Sequence, residues 1–237
     1  MVNFINIHFG NVKFQRNFLQ FHFSVDFDEL NNWSCVPVIL CCVGVSKPWF
    51  ILQTCSAVFE PRTPLIDLGH RHCMFTGGSP RGEAALLIRN GIRFSEIDLK
   101  TGLHAAAVTI SLAKTLTVCS LYLPPNSPVS KLSLTELFEQ LPKPFLVLGD
   151  FNAHSPVWGG TPTWMTGEDV EEFTAENDFI ILNSGEQTFV HSAYHSTSAI
   201  DLAVASPSIA AECSWAAHSD LCGSNHYPIF FNIVLTF

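Results

Sequence analysis

Residues 144–154 read PFLVLGDFNAH, and they indicate the fold class more clearly than any other part of the chain. The apolar run Pro144–Gly149 is short and does not alternate, as expected of a strand that is buried on both faces. In extended chain, alternate side chains share a face, so Asp150 and Asn152 should project together while Phe151 points back toward the core. A carboxylate and an amide here lie where open α/β sheets place their ligands, although an ordinary turn after the strand explains the same residues.

The segments around this strand alternate between predicted strands and predicted helices. Strands are predicted at residues 84–89, 103–112, 115–123, 179–182, 199–205 and 227–235, and helices at residues 133–141 and 167–177. Helices alternating with buried strands argue for an α/β layered domain. Before residue 80 the apolar residues keep neither the period of a strand nor that of a helix for long, so no elements are predicted there.

Three more polar side chains lie in or beside predicted strands. Asp201 is the one charged residue in the stretch 198–204, where an unpaired carboxylate is costly unless it has a partner or faces water at a sheet edge. His226 opens the last strand, where it either caps a loop or serves as a general base or acid with Asp201 as its natural partner. Tyr122 ends another strand and is either a buried structural residue or a donor to a phosphate oxygen.

Taken in this order, these elements resemble the endonuclease/exonuclease/phosphatase superfamily, the DNase I-like fold, and especially the apurinic-type endonuclease domain of non-LTR retrotransposons. Residues 80–235 carry the resemblance, above all RGEAALLIRN at 81–90, the stretch 149–158 and SAIDL at 198–202. The resemblance implies an α/β four-layer sandwich, in which two packed mixed β-sheets are flanked by helices.

The resemblance also implies hydrolysis of a phosphodiester by in-line attack of water, with Mg²⁺ neutralising charge in the transition state. Asp150 then orients or activates the nucleophile, Asn152 holds the phosphate or the leaving oxygen, and Tyr122 contacts the phosphate. His226, oriented by Asp201, polarises the phosphate or serves as the base. The residues expected to bind substrate beside these are His154, Trp158, Asn126 and Ser198.

The sequence departs from the family in its metal site and at its start. The family places a glutamate ligand in a Leu-Gln-Glu-Thr motif, whereas residues 51–54 here read ILQT. Asn225 replaces an aspartate before the last strand, so Asn225 and Asp150 are predicted to be weak metal ligands. Residues 1–50 are expected to be an atypical segment ahead of a domain at 51–237. Decay of a transposable element would explain the missing acidic ligands and the atypical start. This explanation predicts that an inner strand of the fold is missing.

Charge is unevenly distributed along the chain. All 12 Lys and Arg and 10 of the 21 acids lie in residues 1–143, whereas residues 144–237 hold 11 acids and no Lys or Arg. Because nonspecific binding to nucleic acid needs many cations, the second half alone is excluded as a DNA clamp. A neighbouring domain then anchors DNA, or the anchors are Arg71, Arg81, Arg89, Arg93 and Lys114.

The partners implied by the resemblance are DNA and, within a polyprotein, a reverse transcriptase domain. Two competing functions are a non-catalytic binding relic on the same scaffold and a phosphatase or phospholipase of the superfamily. The eight cysteines show none of the paired spacings of zinc sites and are interpreted as reduced, mostly buried thiols. An intracellular location is expected. The apolar run at residues 36–45 is too short to span a membrane, which takes about 20 residues.

Overall fold

The computed structural model describes residues 38–44, 49–55, 70–73, 83–89, 92–111, 114–125, 129–160, 165–191, 194–221 and 225–234. Within these ranges the strands are β1 (Val38–Gly44), β2 (Trp49–Cys55), β3 (His70–Cys73), β4 (Glu83–Arg89), β5 (Arg93–Ile97), β6 (His104–Ser111), β7 (Thr115–Tyr122), β8 (Phe145–Asp150), β9 (Ile180–Ile181), β10 (Phe189–Val190), β11 (Thr197–Ser198), β12 (Asp201–Ala205), β13 (Cys213–Ala217) and β14 (Ile229–Val234). The helices are α1 (Lys131–Phe138), α2 (Met165–Glu176) and α3 (Pro207–Ala210), with a 3₁₀ turn at Pro156–Trp158.

The strands form two six-stranded sheets and a short hairpin. The first sheet has the order β13-β14-β1-β2-β4-β3 and the second the order β5-β6-β7-β8-β12-β9, while β10 pairs with β11. Both sheets are mixed, because β1 runs parallel to β14 and β7 runs parallel to β8, whereas the other described pairs in them are antiparallel. The predicted α/β fold with two packed mixed sheets, the DNase I-like arrangement, is therefore confirmed.

Strand β8 separates two hydrophobic cores, as its unbroken apolar sequence predicts. Leu146 and Leu148 pack in the core between the two sheets, together with side chains of β4 and β14. Phe145 and Val147 point the other way, into a core that the second sheet shares with α1 and α2. A strand covered on both faces needs no polar alternation, which is why the run at residues 144–149 is wholly apolar.

Helix α2 packs very close to the loop that follows β8. A Cβ atom added to Gly167 would lie 1.9 Å from the carbonyl oxygen of His154, so only glycine permits this approach. Across the helices, Lys131 forms ion pairs with Glu172 and Glu176 at 3.0 and 2.8 Å. These contacts fix the helical layer against the loop that leaves the sheet at Asp150.

The first sheet corrects the expectation of a missing inner strand. Strand β1 lies inside the sheet, between β14 and β2, and Ile39 pairs with Ile229. The expectation failed because the run 36–45 carries no alternation and its parallel partner lies far along the chain. Strands β2, β3, β5, β10, β11 and β13 were likewise not predicted.

After residue 80, every predicted strand and helix is present, with ends shifted by a few residues. The two helices begin two residues earlier than predicted, at Lys131 and Met165. Ser130 caps α1, because its side chain accepts a hydrogen bond from the Ser133 N–H. No helix in the described ranges has both the length and the apolar character needed to cross a bilayer.

Candidate active site

Neighbouring strands of the second sheet bring four polar side chains into one row. His104 pairs with Tyr122 across β6 and β7, Tyr122 with Asp150 across β7 and β8, and Asp150 with Asp201 across β8 and β12. Directly paired residues project from the same face of a sheet. That face is the one packed on the first sheet, because Leu148, two residues before Asp150, belongs to the core between the sheets. The row therefore lies at one end of the sheet-to-sheet interface.

Asp201 and His226 form a buried pair at the end of this row. His226 Nδ1 lies 2.9 Å from Asp201 Oδ2, and the two residues are 6% and 0% exposed. The Phe189 ring packs against the imidazole, with the two ring centroids 4.7 Å apart. The second carboxylate oxygen, Asp201 Oδ1, is buried without a hydrogen-bond partner among the described residues. The sequence predicts this partnership, and the structure places the two side chains in contact.

Thr188 and Asn183, which no sequence motif singles out, hold Asp201 in place. The Thr188 hydroxyl, fully buried, accepts hydrogen bonds from the N–H groups of Ile200 and Asp201 at 3.1 and 3.0 Å. Asn183 Nδ2 donates to the carbonyl oxygen of Asp201 at 2.8 Å. These side chains bond to backbone atoms that are many residues away in the sequence, so no local sequence pattern predicts the bonds.

Asp150 and Asn152 are held together by a turn. Asp150, 6% exposed, accepts a hydrogen bond at Oδ1 from the backbone N–H of Asn152 at 3.0 Å. Asn152 has a φ of 46°, a left-handed conformation that asparagine tolerates better than most residues, and its Nδ2 donates to the carbonyl oxygen of Leu123 at 2.9 Å. The expectation that extended chain aligns the two side chains is thus corrected, because the chain turns at Asn152.

Burial and mutual repulsion shift the proton affinities of the cluster. Burial, followed by the charge of Asp201, raises the pKa of Asp150 to about 7, against smaller opposing effects of His226 and Asn152. Burial lowers the pKa of His226, but Asp201 and then Asp150 outweigh it, so the pKa is raised overall. Burial and the charge of Asp150 raise the pKa of Tyr122, which keeps its hydroxyl protonated. The cluster can therefore exchange protons near neutral pH.

Three residues of the cluster, two aspartates and a histidine, are close enough together to bind one metal ion. Asp150, Asp201 and His226 each offer one ligand atom, and these atoms lie within 4.8 Å of one another. Asn225 is half-buried beside His226, and its backbone carbonyl accepts a hydrogen bond from the Val190 N–H at 2.8 Å. A metal role for the Asn225 side chain stays a prediction.

The residues expected to bind substrate differ in their surroundings. Trp158 is 0% exposed and its Nε1 donates to the Ala153 carbonyl at 3.2 Å, so the prediction that it contacts substrate is wrong: the ring fills the core. His154 is half-buried, and burial lowers its pKa. Ser198 is half-buried in β11, where its carbonyl accepts from the Thr188 N–H at 2.9 Å. Asn126 lies outside the described residues.

Two of the expected DNA anchors lie away from the row. Arg93 pairs with Ser111, which is at the other end of β6 from His104. Lys114 precedes β7 at that same end, and its Nζ lies 3.7 Å from a carboxylate oxygen of Glu212. Arg93 and Lys114 are therefore not beside the row, and their role as DNA anchors stays a prediction. Arg81 and the side chains of Arg71 and Arg89 lie outside the described part of the chain.

Comparisons with known proteins agree on one family. Residues 116–230 match the family described as Endonuclease-reverse transcriptase. The RNA-directed DNA polymerase from mobile element jockey of Drosophila funebris is 28% identical over 137 residues, which cover 56% of this chain and 15% of that protein. Its counterpart in Drosophila melanogaster is 26% identical over 121 residues, covering 50% of this chain and 13% of that protein. The chain thus aligns with only a small part of each relative.

A solved structure shares the fold. The endonuclease domain of TRAS1, a telomere-specific non-LTR retrotransposon, superposes with a TM-score of 0.63 at 24% identity, covering 73% of this chain and 84% of that one. Sequence matches and shared fold together confirm the predicted resemblance: the chain is similar to the endonuclease-like domains carried by non-LTR retrotransposons.

Proposed function

We propose that this chain is the DNA-nicking endonuclease domain of a retrotransposon polyprotein, and that it hydrolyses phosphodiester bonds with the help of a divalent cation. The strongest support is the buried contact between His226 and Asp201, with Asp150 adjacent to it in the same row. The jockey relatives carry a polymerase name, so a reverse transcriptase domain is the proposed partner within the same polyprotein. We place the start of the domain before residue 51, because β1 is paired inside the first sheet.

In this mechanism each side chain has a role that its surroundings support. Asp150, with a pKa raised to about 7 by burial and by Asp201, accepts a proton from the attacking water near neutral pH. Asp201 orients the His226 ring and stabilises its protonated form, which then donates to the phosphate. The Tyr122 hydroxyl and the Asn152 amide complete the set of donors to phosphate oxygens.

The side chains present also fit a divalent cation such as Mg²⁺. Mg²⁺ prefers oxygen ligands, and the row supplies two carboxylates, of which Asp201 Oδ1 is buried without a hydrogen-bond partner in the described structure. Asp150 and Asp201 would hold the ion, with His226 at its side and Asn225 as a weak additional ligand. When bound, the ion would stabilise the charge that develops on the phosphate.

Plasmid nicking tests this proposal. The wild-type protein with Mg²⁺ should convert supercoiled plasmid to the open circle, and EDTA should stop the reaction. His226→Ala should reduce the rate about 10²- to 10⁴-fold, the usual contribution of a general acid or base. Asp178→Asn, at an exposed left-handed position, is the matched control and should nick like wild type. Nicking that survives His226→Ala would contradict the assignment.

A non-catalytic relic on the same scaffold is the second candidate function. It is favoured by the sequence ILQT at residues 51–54, which lacks the family glutamate, and by Asn225 in place of an aspartate. Asn225→Asp restores a hard oxygen ligand and should raise the Mg²⁺-dependent nicking rate, because carboxylates bind Mg²⁺ more strongly than amides. An unchanged rate would mean that the missing glutamate limits activity instead.

A further inference from the structure

His104 is the member of the polar row to which the mechanism gives no role. It is the first residue of β6, and the residues after it on the same face, Ala106, Val108 and Ile110, are apolar members of the sheet-to-sheet core. An apolar side chain at position 104 would continue that pattern. A histidine at this position therefore calls for an explanation other than packing.

The surroundings of His104 leave one of its nitrogen atoms unsatisfied. His104 is half-buried, and its Nδ1 is buried with no hydrogen-bond partner in the described structure. Its ring meets the Tyr122 ring edge-on, with centroids 6.0 Å apart. An unsatisfied buried nitrogen destabilises the fold, so a ligand that brings a hydrogen-bond partner to this ring would offset that cost.

The position of His104 suits a phosphate beyond the one that is cleaved. Neighbouring strands are spaced about 4.8 Å apart, so His104 lies roughly 10 Å along the row from Asp150, with Tyr122 between them. A nucleic acid strand crossing the row would therefore bring a flanking phosphate toward His104 while the scissile phosphate lies at Tyr122 and Asp150.

The negative charge of the row favours a hydrogen-bond donor to phosphate at the position of His104. Asp150 and Asp201 repel a polyanion, and the described cations Arg93 and Lys114 lie at the opposite end of the sheet. Lys143 precedes the first residue of β8, and so lies at that opposite end as well. The other two cations with described side chains, Lys100 and Lys131, are ion-paired with Asp98 and with Glu172 and Glu176. The His104 imidazole adds an N–H directly to the row.

We propose that His104 is a further substrate-binding residue, which contacts a phosphate flanking the scissile one on the Tyr122 side of the site. The inference rests on the proposed function, because it takes a nucleic acid strand as the ligand. It assigns His104 to binding and not to the chemical step.

Binding without cleavage tests this role. Fluorescence anisotropy of a short fluorescein-labelled DNA duplex, with EDTA present, gives Kd for the wild type, His104→Ala, His104→Gln and Arg93→Gln. His104→Ala should raise Kd about 3- to 10-fold, the effect of one hydrogen bond to phosphate. His104→Gln keeps an N–H donor and should recover most of the affinity. Arg93→Gln removes a full charge at the other end of the sheet and should change Kd less than His104→Ala does.

Thermal unfolding separates binding from a merely structural role. Because Nδ1 has no hydrogen-bond partner to lose, His104→Ala loses only the edge contact with Tyr122 and should change the unfolding temperature by a few degrees at most. Unchanged affinity in His104→Ala, a larger loss in Arg93→Gln, or a wild-type protein that does not bind the duplex would each overturn the inference. Duplex binding that depends on His104, combined with no plasmid nicking, would refute the proposed nuclease activity and leave the phosphate contact standing.

Discussion

At the scale of single residues, the Asp150 carboxyl links the chemistry of the site to the stability of the fold. Burial and Asp201 raise its pKa from the ordinary 3.8 to about 7, so the folded protein binds this proton more tightly than the unfolded chain does. The resulting stability is fully present below pH 4 and is lost as the pH rises through about 7. The raised pKa of His226 acts in the same direction. The metal-free protein should therefore become less stable from acidic to mildly alkaline pH.

Asp150→Asn should remove much of this pH dependence, because it replaces a buried charge by a neutral amide that still accepts from the Asn152 N–H. The pKa difference corresponds to at most roughly 4 kcal/mol, and we expect the free energy of unfolding at pH 8 to rise by about 1–3 kcal/mol. Urea unfolding of the variant and the wild type in EDTA, at pH 5 and pH 8, measures this change in the free energy of unfolding. Asp178→Asn should change little at either pH, and an Asp150→Asn protein less stable than wild type at pH 8 would contradict the expected sign.

At the scale of elements, the site depends on how closely β8 approaches its neighbour β7. Gly149 precedes Asp150 and pairs with Leu121, and a Cβ added to Gly149 would lie 1.7 Å from the Leu121 carbonyl oxygen. No side chain fits at that distance without moving a strand. The glycine therefore sets the spacing between the strands that carry Tyr122 and Asp150.

Gly149→Ala should consequently destabilise the protein by about 3 kcal/mol or more, because it forces two paired backbones apart. Gly102→Ala is the matched control, since nothing lies within 4 Å of its added Cβ atom, and it should change stability by less than about 0.5 kcal/mol. Chemical denaturation of both variants measures the difference. Equal stability of the two would mean that β7 and β8 are not packed as described.

The start of β12 depends on a single hydroxyl in the segment before β10. Thr188→Val keeps the shape of the side chain but removes the acceptor for the N–H groups of Ile200 and Asp201. We expect a loss of about 2–3 kcal/mol in stability and a lower nicking rate, because Asp201 is no longer held against His226. Thr188→Ser retains the acceptor, so it should keep most of the stability and most of the nicking rate. Denaturation and nicking assays measure the two quantities. A valine variant as active as the serine variant would remove Thr188 from the support of the site.

At the scale of the whole molecule, both sheets contribute to the candidate site. Tyr122, Asp150 and Asp201 come from the second sheet, whereas His226 precedes β14 of the first sheet. Strand β14 is paired with β1 and β13, so the position of His226 depends on residues nearly two hundred positions earlier in the chain. The site is thus a property of the complete sandwich.

Much of the second sheet and of the candidate site could be predicted from local sequence pattern and simple chemistry. The apolar run of β8 and the isolated carboxylate of Asp201 correctly indicated a doubly covered strand and a buried group in need of a partner. Pairing over long distances could not be predicted: β1 reads as an apolar run without period, and Thr188 acts through backbone atoms. Trp158 was expected to contact substrate from the family resemblance alone, whereas its ring turns into the core.

A double-mutant cycle in plasmid nicking tests most directly whether Asp201 and His226 work as one unit in a phosphodiester-cleaving centre. The initial rate would be measured with Mg²⁺ for wild type, Asp201→Asn, His226→Ala and the double variant. If the carboxylate acts in part through the imidazole, the double variant should be slowed by clearly less than the product of the two single losses. A double variant slowed by the product of the two single losses, or single variants that nick at the wild-type rate, would contradict a shared role in catalysis.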